Sequence, residues 1–140
     1  MSKDTGNLLK ILNNSKSIGD YLSNEEAHMI KTSLSEEILR YIKEKNTTAS
    51  ALFKTAGIDK SYGYEIISGT KHPSRDKVLR LLIALNLSQE EAQSVLKSTG
   101  YPALYPKDER DSIILFALKQ GGDIDGINDT LYDLGFETLS

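Results

Sequence analysis

TASALFKTAGIDKSYGYEIISG, residues 48–69, decides how this chain folds. Thr48 has the side-chain oxygen that an N-cap needs, and the helix it opens runs to about Ala56. Gly57 suits the φ > 0 conformation of a sharp interhelical turn. Asp59 or Lys60 then opens a second helix, which stops at Gly69. Upstream, Ser33-Leu34-Ser35-Glu36 fits the capping-box pattern and predicts a helix start. Leu34, Ile38, Leu39, Tyr41 and Ile42 recur there at helical spacing, and Asn46 ends that helix. Still earlier, residues 7–13 (NLLKILN) form a short amphipathic helix and residues 17–31 hold one or two further helical turns. Downstream, the loop Thr70-Lys71-His72-Pro73 leads to Ser74, which caps a helix with Val78, Leu81, Leu82 and Leu85 on one face. Ser88 and Glu91 make a second capping box for a helix that buries Ala92, Val95 and Leu96 and ends near Gly100. Residues 101–107 (YPALYPK) form a connector. Asp108 starts a helix whose IILFAL core is apolar on nearly all sides and is expected to be deeply buried. Gly121-Gly122 end it. Asp123 caps a last helix with Ile124, Ile127, Leu131 and Leu134 at i, i+3, i+7 and i+10, closed by Gly135. The chain therefore reads as all-α, with roughly seven to nine helices, no strand and no internal repeat.

With 140 residues and 39% hydrophobic content, the chain is long and apolar enough for a buried core. It contains no cysteine, so disulfides and thiolate metal sites are excluded. The longest apolar run, residues 113–118, is too short for a membrane span, and residues 1–14 lack a signal-peptide core. A cytoplasmic location and no membrane partner are expected. The net charge of −3 is unevenly spread: residues 1–33 are neutral, 34–80 carry +3 and 81–140 carry −6. A mildly basic face on an acidic body suits a modest phosphate-binding surface.

Two short helices around a tight turn are the outline of a helix-turn-helix, whose second helix ordinarily enters the DNA major groove. Leu52, Gly57 and Ile58, Ser61-Tyr62, Ile66 and Gly69 lead on to Pro73-Ser74. The apolar face Val78-Leu81-Leu82-Leu85 and the LSQEEA start at Leu87 follow. On these residues, the segment 34–100 resembles the Cro/C1-type, or XRE, family of helix-turn-helix repressors. Gly57 falls at the family's turn glycine and Pro73-Ser74 at its Asn-Pro-Ser. The flanks, residues 1–33 and 101–140, look like those of XRE regulators of unassigned role in Gram-positive bacteria, a likeness that implies no activity.

The resemblance implies a lambda-repressor-like helix-turn-helix bundle with extra helices at both ends, and a sequence-specific transcriptional regulator whose partner is double-stranded DNA. Carried over by position, it places Lys60, Ser61, Tyr64 and Glu65 where base edges are read. Thr70 and Lys71 fall where backbone phosphate is gripped. Ser74 opens a helix whose N-terminus can hold an anion, and Arg75 adds a cation. Residues 101–140 would serve as a C-terminal extension packed on the module, for a homodimer or a protein partner.

The chain departs from the family at four places. Ala49 replaces a Gln that reaches phosphate or base. Glu65 can accept from cytosine N4 but repels phosphate elsewhere. Phe53 replaces a small Ala, and Gly63 replaces a Leu or Ile. The last two positions face each other in the family, so the exchange roughly conserves volume; the Phe53 ring is expected to pack over the Gly63 backbone. Ala49, Glu65 and the acidic C-terminal region motivate a second reading, a protein-interaction adaptor that keeps the fold without DNA. His28 and His72 have no triad or metal partners by spacing. Asp123, Asp125 and Asp129 read as an N-cap and a solvated face rather than a calcium loop. Tyr62 is expected in the core, and Leu104, Tyr101, Tyr105 and Phe136 as packing between the halves rather than an exposed patch. No enzyme activity, cofactor or metal is expected.

Overall fold

Each helix within residues 32–140 starts at a short polar side chain that accepts the amide proton three residues on. The structure, a computed structural model, describes residues 32–140. The expected helices at 7–13 and 17–31, and His28, lie outside the described residues. Among the described residues there are seven α-helices and no strand: α1 Leu34–Glu44, α2 Ala49–Ala56, α3 Lys60–Ile67, α4 Arg75–Ala84, α5 Gln89–Ser98, α6 Glu109–Lys119 and α7 Ile124–Asp133. The chain is all-α, as its periodicity requires. Ser33, Thr48, Asp59, Ser74, Ser88, Asp108 and Asp123 are the N-caps, each satisfying one donor that the helix cannot pair internally. At Ser88 the box closes in both directions. At Ser33 only the hydroxyl half forms, and the Glu36 carboxylate instead accepts the Thr32 hydroxyl at 2.8 Å.

The core is centred on α4, where Val78, Leu79, Leu81, Leu82 and Ile83 are all buried. α2 and α7 both pack against it, α1 packs on α3, and α6 lies against α5 and α7. Leu104, Ile114, Leu118, Ile124, Ile127, Leu131 and Leu139 join the same apolar cluster as the residues of α1–α5. Residues 101–140 are therefore part of one compact unit with residues 32–100.

The connector is fastened at several points. The Gln93 amide brackets Leu104, donating to its carbonyl at 2.8 Å and accepting its N–H at 2.7 Å. The Tyr101 hydroxyl donates to the Pro73 carbonyl at 2.7 Å. Leu104 is buried and Tyr101 and Phe136 are half-buried against the core, while Tyr105 is exposed.

Three expectations are corrected. Tyr105, 57% exposed, does not pack between the halves, and Leu134, 60% exposed, does not share the buried face of Ile124, Ile127 and Leu131. The IILFAL stretch of α6 is not buried all round: Ile114 and Leu118 are inside, but Phe116 is 64% exposed and Ile113, Leu115 and Ala117 are half-buried. Only one side of α6 faces the core, because its neighbours α5 and α7 leave the Phe116 side uncovered.

Candidate functional site

The turn between α2 and α3 is built by Gly57, which sits at φ 66 in the left-handed region. Its amide donates to Lys54 O and the next amide, of Ile58, reaches Phe53 O at 3.0 Å, so the last carbonyls of α2 are paired. The Arg80 guanidinium braces the same turn from α4. Its Nε donates to Ala56 O at 2.8 Å and one terminal nitrogen donates to Leu139 O at 2.8 Å. A Cβ on Gly57 would lie 2.5 Å from that guanidinium.

Beyond the turn, α3 is held at both ends of its inner face. The Ser35 hydroxyl of α1 donates to Ile67 O. Gly63 and Ile66 are buried, and Phe53 of α2 is 2% exposed. A Cβ built on Gly63 would fall 2.7 Å from three atoms of the Phe53 ring. The ring therefore occupies the space a side chain at 63 would take, as the exchange at positions 53 and 63 led us to expect. The same ring meets Tyr64 edge-on, centroids 5.2 Å apart at 84°, a favourable geometry for aromatic quadrupoles. Tyr64 is thus propped on the core while remaining 46% exposed.

On the outer side of α3, Lys60, Ser61 and Tyr64 are exposed and Glu65 is half-buried. Positions i, i+1, i+4 and i+5 share one helical face, opposite buried Gly63. The loop after α3 turns back onto this face. The amides of Thr70 and Lys71 both donate to Glu65 O, the Thr70 hydroxyl lies 2.8 Å from that of Ser68, and Lys71 Nζ is 3.8 Å from the Glu65 carboxylate. The side chains of this last pair are solvent-accessible, so it contributes little to stability, but it does hold a cation beside the outer face of α3. Ser74 is exposed and uses its oxygen to cap α4, accepting from Lys77 N at 3.3 Å. Tyr62 is half-buried against the core, with Lys77 Nζ 5.7 Å from its ring centroid. His72 is exposed.

Arg75 is not where the resemblance implied. Its guanidinium turns inward and forms a two-pronged pair with buried Asp111, at 3.1 and 2.7 Å. Two further donors go to Pro102 O and Ala103 O. Asp111 also accepts the Tyr105 amide at 2.9 Å. All five N–H groups of an arginine form a fixed fork, and these four contacts leave little of this one for an outside anion.

The neighbouring residue makes the reciprocal contact. Asp76 accepts both prongs of Arg110, at 3.1 and 2.8 Å. Arg110 also donates to Glu137 O and Thr138 O. The Arg75-Asp76 pair at the start of α4 and the Arg110-Asp111 pair at the start of α6 are thus exchanged, each Arg holding the other's Asp. Sequence reasoning missed this, though the signal was visible: the same Arg-Asp dipeptide follows a capping residue at two helix starts. Burial, the largest influence on Asp76, pushes its pKa up. The Arg110 hydrogen bond and charge, the Ser140 amide and the Arg75 charge outweigh it, so Asp76 ends below the ordinary carboxylate value. The Asp76 hydrogen bond in turn holds Arg110 above its usual value.

Asp123 accepts Gly126 N at 2.8 Å, the N-cap role read from the sequence. No group of three or more His, Asp and Glu side chains is arranged to hold a metal ion among the described residues, and among them no helix is long and apolar enough to cross a membrane. The chain finds no match among family models, curated proteins or solved structures.

Proposed function

We propose that this protein is a sequence-specific DNA-binding regulator of the Cro/C1 type, acting from the cytoplasm, with α2 and α3 as its helix-turn-helix. The observation that carries the reading is the outer face of α3. It presents Lys60, Ser61 and Tyr64 at the surface with Glu65 beside them, on a helix fixed from behind by Phe53, Ser35 and the Gly57 turn. A rigid helix with donors, an acceptor and a cation on its first two turns suits the reading of base edges. Thr70, Lys71 and the capped start of α4 at Ser74 lie along the chain just after it and would position the backbone. Arg75 drops out of this set, since its donors are engaged within the fold.

The test is binding of the purified protein to random duplex DNA and to DNA from around its own gene, across a range of salt. A DNA reader loses affinity steeply as salt rises and prefers one sequence. Lys71→Ala then weakens all sequences alike and lowers the salt slope, while Lys60→Ala or Ser61→Ala changes the preference. Equal, uniform losses in all three variants would sink the base-reading roles.

The second reading is the adaptor. Arg75 spent internally, Lys71 partly neutralised by Glu65 and Ala49 at the start of α2 all favour it. Absence of DNA affinity even at low salt would select it.

A further inference from the structure

Between α6 and α7 runs an open apolar trough of about 550 Å³, lined chiefly by Ile113, Phe116 and Ala117 on one side and Ile127, Thr130 and Leu134 on the other. Phe116 and Leu134 stand at its rim, 64% and 60% exposed. Side chains this large and apolar, side by side at a surface where most other apolar side chains among the described residues are inside, mark an interaction site rather than surface scatter. Two adjacent helices with an apolar furrow between them offer the seat that an amphipathic helix uses, with anchors at i, i+3, i+4 and i+7.

The charge around the furrow says what kind of helix. On α7 the trough residues 126, 127, 130 and 134 occupy one arc, with buried Leu131 toward the core. Helical geometry puts Asp133 and then Asp129 along the opposite, outer edge of that arc, and both are exposed. Residues 108–134 carry seven acidic side chains against Arg110 and Lys119; with Asp111 held by Arg75 and Arg110 by Asp76, six acids face one free cation. A second copy would set the same net-acidic patch against itself, since a two-fold contact uses one patch on both sides. Opposed like charges are costly at an interface.

We propose that the α6–α7 trough is a docking site for an amphipathic helix of a partner protein whose apolar stripe is flanked by Lys or Arg. Phe116 and Leu134 are the anchors, and Asp129 and Asp133 select for the basic flank. The site is independent of the DNA reading: loss of one binding activity leaves the other intact.

The experiment uses the full chain and three synthetic peptides, followed by calorimetry or fluorescence anisotropy. The first has Leu at helical anchor spacing with Lys on the flanks, the second has Glu in place of Lys, and the third has the first composition scrambled. Saturable binding of the first is expected, with about tenfold or greater preference over each of the others, and a loss of similar size in Phe116→Asp and Leu134→Asp. These positions are exposed, so circular dichroism should show an unchanged fold. Asp129→Lys with Asp133→Lys should reverse the preference between Lys and Glu peptides. Equal binding of the scrambled peptide, equal binding by Phe116→Asp, or no binding at all would overturn the proposal. So would concentration-dependent dimerisation that Phe116→Asp abolishes, since a second copy would then fill the seat.

Discussion

At the scale of single residues, the exchange of bulk between positions 53 and 63 has the sharpest consequence. Gly inside a helix costs about 0.5–1 kcal/mol relative to Ala, so propensity alone makes Gly63→Ala stabilising. The geometry makes it destabilising, because the new methyl would lie 2.7 Å from three atoms of a ring that is itself 2% exposed. Overpacking a well-filled core costs about 1–3 kcal/mol, which exceeds the propensity gain. We predict a net loss of about 1–2 kcal/mol for Gly63→Ala in urea or thermal unfolding. Phe53→Leu in the same chain should recover part of it, with a coupling of about 0.5–3 kcal/mol. Additive losses would show that the ring does not oppose position 63. This contact was legible in the sequence, because two volume changes of opposite sign fell at facing positions of a recognisable motif. The turn at Gly57, with its positive φ, was legible for a similar reason: few residues can stand there. Arg75 was not. A cation at a helix start has the same sequence signature whether it faces solvent or a carboxylate 36 residues away, and only packing distinguishes the two.

Among elements, the exchanged pairs Arg75–Asp111 and Arg110–Asp76 join the starts of α4 and α6. Asp111 is 6% exposed and accepts three hydrogen bonds from Arg75 and Tyr105. Removing one partner of a fully buried pair costs about 3–5 kcal/mol. The Arg75 side chain keeps 24% exposure, which lowers our expectation for Asp111→Ala to roughly 2–3 kcal/mol. The other pair gives a pH signature. Asp76 holds a depressed pKa in the folded state, so the unfolded chain takes up this proton first and acid favours unfolding. Its contribution is present above the ordinary carboxylate value of about 4 and is lost as pH falls through the lower folded value. In urea titrations, the stability gap between wild type and Asp76→Asn should shrink as pH drops from about 6 to about 3. A gap that stays constant would rule out a pH-dependent contribution from this pair. The described helices were readable almost end to end, since polar caps and 3.6-residue periodicity are local signals. The burial of α6 was misread because hydrophobicity around a helix cannot say how many neighbours it has, and this one has a side left open.

In the molecule as a whole, the acidic C-terminal region and the α2–α3 pair are not separable. Residues 137–140 run back across the unit. Arg110 holds the carbonyls of Glu137 and Thr138, Arg80 holds that of Leu139, and the Leu139 amide donates to Asn128 at 2.7 Å. Because Arg80 also holds Ala56 O, one guanidinium links this strand of chain to the turn before α3. The Leu139 side chain is 2% exposed within the common core. The surface that α3 presents is therefore stabilised from the opposite end of the sequence. A chain cut after residue 100 leaves Arg75 and Asp76 without their partners and strips seven buried residues from the cluster. We predict that residues 1–100 alone show no cooperative unfolding transition, whereas the full chain's unit of residues 32–140 unfolds in one step, with tyrosine fluorescence and far-ultraviolet circular dichroism coinciding. Leu139→Ala, the smallest version of the same cut, should cost about 2–5 kcal/mol and weaken DNA binding only in proportion to the unfolded fraction. A sharp transition in the 1–100 fragment would mean that α1–α5 are stable without their C-terminal support. DNA affinity lost by Leu139→Ala while the protein stays fully folded would instead show that the Arg80 bridge sets the posture of α3 directly.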